Sequence, residues 1–135
     1  VTSVGYKKIT SAVDHVITHY HYDDVPVVSA EGSWAMAKGF GFNMSYCVNF
    51  EQATAVFDLA KGDKPLTLFQ PGKEPAPVEL EPTMGYDLEI DYFIDCIKND
   101  RDPVTVTLKD AANTIKICEA EEKSVESGGA VVVRV

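Results

Sequence analysis

No stretch of the 135-residue sequence is apolar for the ~20 residues that a bilayer-spanning helix requires. Basic residues are scarce: 12 Lys and Arg stand against 21 Asp and Glu, for a formal net charge of -9, and they gather into no stripe with interleaved aromatics. Such a surface repels a phosphate backbone, so neither nucleic acid nor membrane is an expected partner. Cysteine is sparse too. Cys47, Cys96 and Cys118 are odd in number, widely spaced and set in apolar patterns, which argues against a disulfide framework or a C-x-x-C site and fits reduced thiols in a cytoplasmic chain. P-loop, G-x-S-x-G and H-E-x-x-H patterns are missing, and with them the usual phosphate, nucleophile and zinc-protease templates. Gly39-Phe40-Gly41 lacks the third glycine of the dinucleotide fingerprint and leads into a predicted strand instead of a helix. The 7 prolines and 9 glycines are dispersed, so no linker, repeat or low-complexity tract divides the chain, and 1–135 is expected to form one domain.

What is present is strand signal followed by helix signal. Residues 13–22 alternate loosely and stop at Asp23-Asp24, and residues 26–34 form a second run, so the two predict a hairpin. Runs at 42–50, 53–60 and 65–70 follow with short connections, the pattern of an antiparallel meander. After the loop 70–77, residues 78–80 allow one more short strand. On the second run Val27, Ser29, Glu31 and Ser33 face one way and Val28, Ala30, Gly32 and Trp34 the other. On the third, Phe42, Met44, Tyr46 and Val48 oppose Asn43, Ser45, Cys47 and Asn49.

The period then changes. Tyr86, Ile90, Phe93, Ile94 and Ile97 fall on one helical face, which must be buried, and the helix ends at Asn99-Asp100-Arg101-Asp102 before Pro103, with 104–106 extended. Thr107 and Asp110 have capping-box spacing, opening a second helix. Leu108, Ala111, Ala112, Ile115, Cys118 and Val125 are its predicted apolar face, Glu119, Glu121, Glu122 and Lys123 its wet one, and Gly128-Gly129 suits a left-handed cap. Residues 130–135 read as a final strand. Strands first and helices afterwards predict an α+β fold, an open, mostly antiparallel sheet with helices on one face. The outer face of such a sheet is a place for a second subunit or domain.

Three clusters bear on function. His15, His19 and His21, with Asp23, share one side of a strand; imidazoles so spaced can reach one metal ion, and they can equally line a solvated or subunit-facing sheet surface. Trp34, Lys38 and Phe40 combine a stacking plane with a hydrogen-bond donor suited to a polar organic ligand, although Trp also serves as simple packing. Tyr86 reads first as a core anchor, and the acidic run 119–122 as solvated helix surface. Asn43-Met44-Ser45 matches a glycosylation acceptor, a pattern short enough to arise often by chance.

The segment "GYDLEIDYFIDCIKNDRDPVTVTLKDAANTIKICEAEEKSVESGGAV" resembles the closing pattern of the C-terminal domain of Gfo/Idh/MocA oxidoreductases. Tyr86 and Glu89, Phe93 and Ile97, Pro103, Asp110-Ala111, Glu119-Ala120 and Ser124 carry the likeness, and "AEGSW", from Ala30 to Trp34, resembles the family's second sheet strand. The resemblance extends over nearly the whole chain. It implies a dihydrodipicolinate-reductase-like domain of glucose-fructose oxidoreductase type, with helices on one face of an open sheet and another subunit on the other. It also implies a parent NAD(P)-dependent dehydrogenase acting on a sugar, cyclitol or related alcohol. The N-terminal Rossmann domain, which would bring NAD or NADP, the E-K-P-like lysine and the catalytic Asp and His, is expected outside this chain. No catalytic, cofactor-binding or metal-binding residue is therefore assigned here, and His15, His19 and His21 do not match the family's catalytic positions. The substrate-binding expectation falls on Trp34, Lys38 and Phe40, with homo-oligomerisation through the sheet face. Two other expectations stand beside it: a standalone, non-catalytic α+β binding or scaffold module, and a small metalloprotein built on His15, His19 and His21.

Overall fold

A computed structural model of the chain describes residues 1–81, 83 and 85–134. It is α+β, with two antiparallel sheets and two α-helices, and it divides into two compact bodies, Val1–Ala37 with Asn99–Val135, and Lys38–Lys98.

The first body holds a 3-stranded antiparallel sheet of β1 (Thr2–Tyr6), β2 (His15–Tyr20) and β3 (Val28–Ser33), in that order. The predicted hairpin is β2 and β3, with His15 opposite Ser33 and Tyr20 opposite Val28. β1 has no counterpart among the predicted strands, because its "TSVGY" holds only scattered apolar residues around a glycine. It pairs with β2 from Thr2 opposite His19 to Tyr6 opposite His15.

The turn between β1 and β2 is held by one buried carboxylate. Asp14, 1% exposed, accepts from the backbone N–H groups of Lys8, Ile9 and Thr10 at 2.6, 2.6 and 2.9 Å, and from the Thr10 hydroxyl at 2.6 Å. Its own backbone donates to Tyr6 and accepts from Trp34, at 2.9 and 2.7 Å, which joins all three strands at their ends. The Ile9 amide first and then the Thr10 hydroxyl hold the Asp14 carboxyl down to about 2, because both bond the charged form.

α2 (Leu108–Ser127) packs on β1. The predicted capping box is present: the Thr107 hydroxyl accepts from the Asp110 N–H at 3.2 Å while the Thr107 N–H donates to the Asp110 carboxylate at 2.9 Å. Gly128 closes the helix at φ 69°, the left-handed cap its residue type favours. The buried face differs from the predicted one. Ala120 and Ser124 are buried and Ile117 and Glu121 half-buried, while Leu108, Ile115 and Cys118 lie exposed on roughly the opposite side. Small side chains explain this, because they let the helix approach β1 closely enough for the Ser3 N–H to donate to the Ser124 hydroxyl at 2.8 Å. That hydroxyl donates in turn to the Gly129 carbonyl at 2.5 Å. Residues 130–134 do not form the predicted strand, although Val1 and Val131 exchange two backbone hydrogen bonds at 2.8 and 2.9 Å; Val135, the last residue of that prediction, lies outside the described residues.

The second body holds a 4-stranded antiparallel meander of β4 (Ser45–Asn49), β5 (Thr54–Asp58), β6 (Leu66–Phe69) and β7 (Ala76–Val78). A 3-10 turn at Leu59–Lys61 follows β5, opened by Asp58, whose carboxylate accepts from the Ala60 N–H. Pairing of Tyr46 with Phe57, Phe57 with Leu66 and Leu66 with Val78 gathers apolar residues on one face, as the alternation predicts. Tyr46 stacks on Phe57 at 5.2 Å between ring centroids.

The strands thus make two sheets where a single open one was predicted. The meander breaks between β3 and β4, in the segment where Gly39 and Gly41 take φ of 95° and 76°. α1 (Gly85–Lys98) forms where predicted, but its face is a second correction. Cys96 is its buried residue and Tyr92 is half-buried, whereas Tyr86, Ile90, Phe93, Ile94 and Ile97 remain 42–67% exposed. Periodicity identifies a stripe that needs cover without supplying the cover. Among the described residues no helix is long and apolar enough to cross a membrane.

Candidate functional site

The two faces of the first sheet have different chemistry. Ser3, Val16, Thr18 and Tyr20 line the face toward α2, where Ser3 and Thr18 share a buried hydroxyl–hydroxyl bond of 2.8 Å. The Tyr20 hydroxyl donates to the Glu121 carboxylate on α2, and burial first, then that bond, pushes the phenol above its ordinary value. Such a phenol stays protonated through any physiological pH and serves as a donor, not as a base.

The opposite face carries Thr2, Val4, Tyr6, His15, Ile17, His19, Ser29, Glu31 and Ser33. Val4 and Ile17 pair directly and are 74% and 50% exposed. Around them run polar rings. His15 stacks parallel to Tyr6 at 5.4 Å and its Nε2 lies 3.5 Å from Glu31, an ion pair when the imidazole is protonated. Lys8 Nζ sits 5.6 Å from the centre of the same Tyr6 ring. His19 and His21 lie 4.5 Å apart, and His21 Nε2 is hydrogen-bonded to Thr2 Oγ1 at 2.8 Å. The sequence therefore places His15 and His19 on one strand face, but tertiary pairing gives them different partners. Among the described residues no three His, Cys, Asp or Glu side chains are placed to hold a metal ion.

The expected substrate positions are divided between the bodies. Trp34 follows β3 in the first and is 86% exposed; Lys38 and Phe40 open the second, in the segment before β4, and both are exposed. That segment does not fit a dinucleotide. Gly39 and Gly41 have the positive φ of a phosphate-binding turn but lead to β4, so no helix N-terminus follows them to take a pyrophosphate. No family model matches this chain, and no curated protein does.

One further concavity lies in the first body, an open cleft of about 230 Å³ lined by Ala12, Val13, Val16, Cys118, Glu121 and Glu122. It is smaller than the roughly 300–1,000 Å³ usual for organic ligands. Periodicity could not have located it, since it joins the β1–β2 turn to α2 across more than a hundred residues of sequence. The Asp14 clamp did leave a local signal, a Thr and an Asp four residues apart in a polar turn.

Proposed function

We propose that this chain is the C-terminal substrate-binding and oligomerisation domain of a cytoplasmic NAD(P)-dependent oxidoreductase of the Gfo/Idh/MocA type, with a dihydrodipicolinate-reductase-like fold. Its substrate would be a sugar, cyclitol or related alcohol. The observation that carries the assembly part is the outer face of β1–β3, where Val4 and Ile17 stand exposed inside a rim of Tyr6, His15, His19 and Glu31. An apolar centre with a polar rim is the composition of a face that seats another protein surface. The oxidoreductase part rests on the sequence resemblance. In this reading Trp34 and Phe40 offer flat apolar surfaces to the C–H face of a polyol and Lys38 donates to its hydroxyls. NAD or NADP is held by the Rossmann domain, with which this chain forms the substrate pocket, and the chain alone is catalytically inert.

The deciding experiment is to read the coding sequence on the 5′ side of Val1 and to assay the complete product with NAD+ and NADP+ against a panel of sugars and cyclitols. An in-frame strand-glycine-helix fingerprint with substrate-dependent cofactor reduction is expected. A start codon adjacent to Val1, or a complete product that reduces neither cofactor with any polyol, overturns the reading and leaves a binding module.

A further inference from the structure

The edge of a sheet is a row of outward backbone groups that another strand can take up, and soluble proteins guard it with charge, proline or a covering segment. Among the described residues, three of the sheet edges are guarded in one of these ways. Beside β1, Val131 takes the backbone of Val1 and the Ser124 hydroxyl takes the Ser3 N–H. On β3 the bond from the Trp34 N–H to the Asp14 carbonyl turns even-numbered positions toward β2, so Ser29, Glu31 and Ser33 have outward backbone groups. Two such edges paired antiparallel in full register would set Glu31 against itself. β7 is 3 residues long, and its outward position is Pro77, which has no N–H to give.

β4 has none of these devices. Its 5 residues, Ser45–Asn49, include no charge and no proline, and all of them are exposed. The Leu59 N–H donates to the Met44 carbonyl at one end of the β4–β5 ladder, and the Phe50 N–H to the Ala53 carbonyl at the other. Alternation between them turns the backbone groups of Tyr46 and Val48 toward β5 and those of Ser45, Cys47 and Asn49 outward. Among the described residues, none of these outward groups has a partner.

We propose that the chain forms a twofold dimer by antiparallel pairing of β4 with β4 of a second copy, with Cys47 at the axis. In that register Cys47 meets Cys47 and Ser45 meets Asn49, so every outward N–H and C=O of the strand is used at once. On the other side of the pleat Tyr46 of each copy falls opposite Val48 of the other, an aromatic and β-branched pair. The apolar row Val78, Leu66, Phe57 and Tyr46 is thereby continued across the axis. A second copy fits this edge on charge as well. The chain carries a net charge of -9, and β4 is a strand on which two copies can meet without opposing carboxylates. Strand pairing about a twofold axis closes on itself and leaves no β4 edge free to propagate. The contact uses residues of one body alone, and it rests neither on the outer face of β1–β3 nor on the dehydrogenase reading.

The axis supplies the test, because a residue placed on it meets its own copy. Cys47→Lys sets ammonium against ammonium there, and Cys47→Asp sets carboxylate against carboxylate; the position is exposed, so folding is preserved and circular dichroism checks it. In sedimentation velocity over a concentration series, wild type dimerises, each variant alone associates roughly tenfold or more weakly, and an equimolar mixture of the two recovers dimer. A second measurement keeps the native residue at the axis. In Cys118→Ser protein, where Cys96 is buried, a short bis-maleimide joins two chains through Cys47. A wild-type chain that is monomeric at every concentration, with Cys47 unreactive between chains, overturns the proposal. So does a mixture of the Lys and Asp variants that recovers nothing. A dimer indifferent to both substitutions but lost in Ile17→Glu also overturns it, and assigns assembly to the face of β1–β3 instead.

Discussion

The body formed by Val1–Ala37 and Asn99–Val135 buries Ser3, Asp14, Thr18 and Ser124 as its least exposed polar side chains, whereas Lys38–Lys98 buries Phe57 and Cys96. The first is closed by directed hydrogen bonds: Asp14 on its turn, Ser3 on Thr18 and Ser124, Tyr20 on Glu121. Among the described residues no buried side-chain nitrogen or oxygen lacks a partner. Hydrogen bonds of this kind fix position more than they add stability, since each contributes only about 0.5–1.5 kcal/mol net, yet leaving one unmade costs more. The second body has regular strands and a well-formed helix, but the chief apolar seam of that helix and the β4 side chains Tyr46 and Val48 stay exposed. Polar closure is satisfied locally; apolar surface is indifferent to which neighbour covers it, and so is available to another protein surface.

The sharpest way to break this contrast is Gly5→Ala. A Cβ there would collide with the His15 carbonyl and press on Val13, so the β1–β2 ladder must shift. A loss of about 3 kcal/mol is expected from that overpacking, read by urea denaturation; a change of less than about 0.5 kcal/mol would mean that the first body is more plastic than its contacts imply. Acid titration gives a narrower effect. The folded Asp14 carboxyl is depressed from 3.8 to about 2, so its stabilisation is complete above the unfolded value and is lost as pH falls through about 2. Melting temperature should therefore fall over that window in wild type and lose much of that slope in Asp14→Asn; identical slopes would show the clamp to be energetically idle. The smallest effect belongs to the other side of the comparison. Phe93→Ser, at a position 53% exposed, should alter stability by less than about 0.5 kcal/mol in a dilute, monomeric sample, and a larger loss would reveal that the seam is covered within its own chain.

Sequence reasoning was most reliable where the signal is local. The β2–β3 hairpin, the β4–β6 meander, α1, the Thr107–Asp110 box and the Gly128 cap all occur where alternation, helical period and capping chemistry put them. β1 was illegible because "TSVGY" owes its strand to pairing with β2 and to α2 behind it, not to its own residues. The candidate site was half legible. Alternation put His15, Ile17 and His19 on one face, but the Tyr6 stack on His15, the Thr2 bond to His21 and the Val4 neighbour of Ile17 come from β1, which local reading missed.

By itself, then, the sequence determined an α+β chain of strongly acidic character with two helices, because charge, period-two alternation and caps act between residues a few positions apart. Tertiary structure decided which helix faces are buried, how the strands divide between two sheets, and which surfaces remain for a partner. α2 turns Ala120 and Ser124 inward in preference to Leu108 and Ile115 because close approach to β1 and the Ser3–Ser124 bond require small side chains at the contact. That choice depends on a neighbour more than a hundred residues away, which no pattern within a single helix encodes.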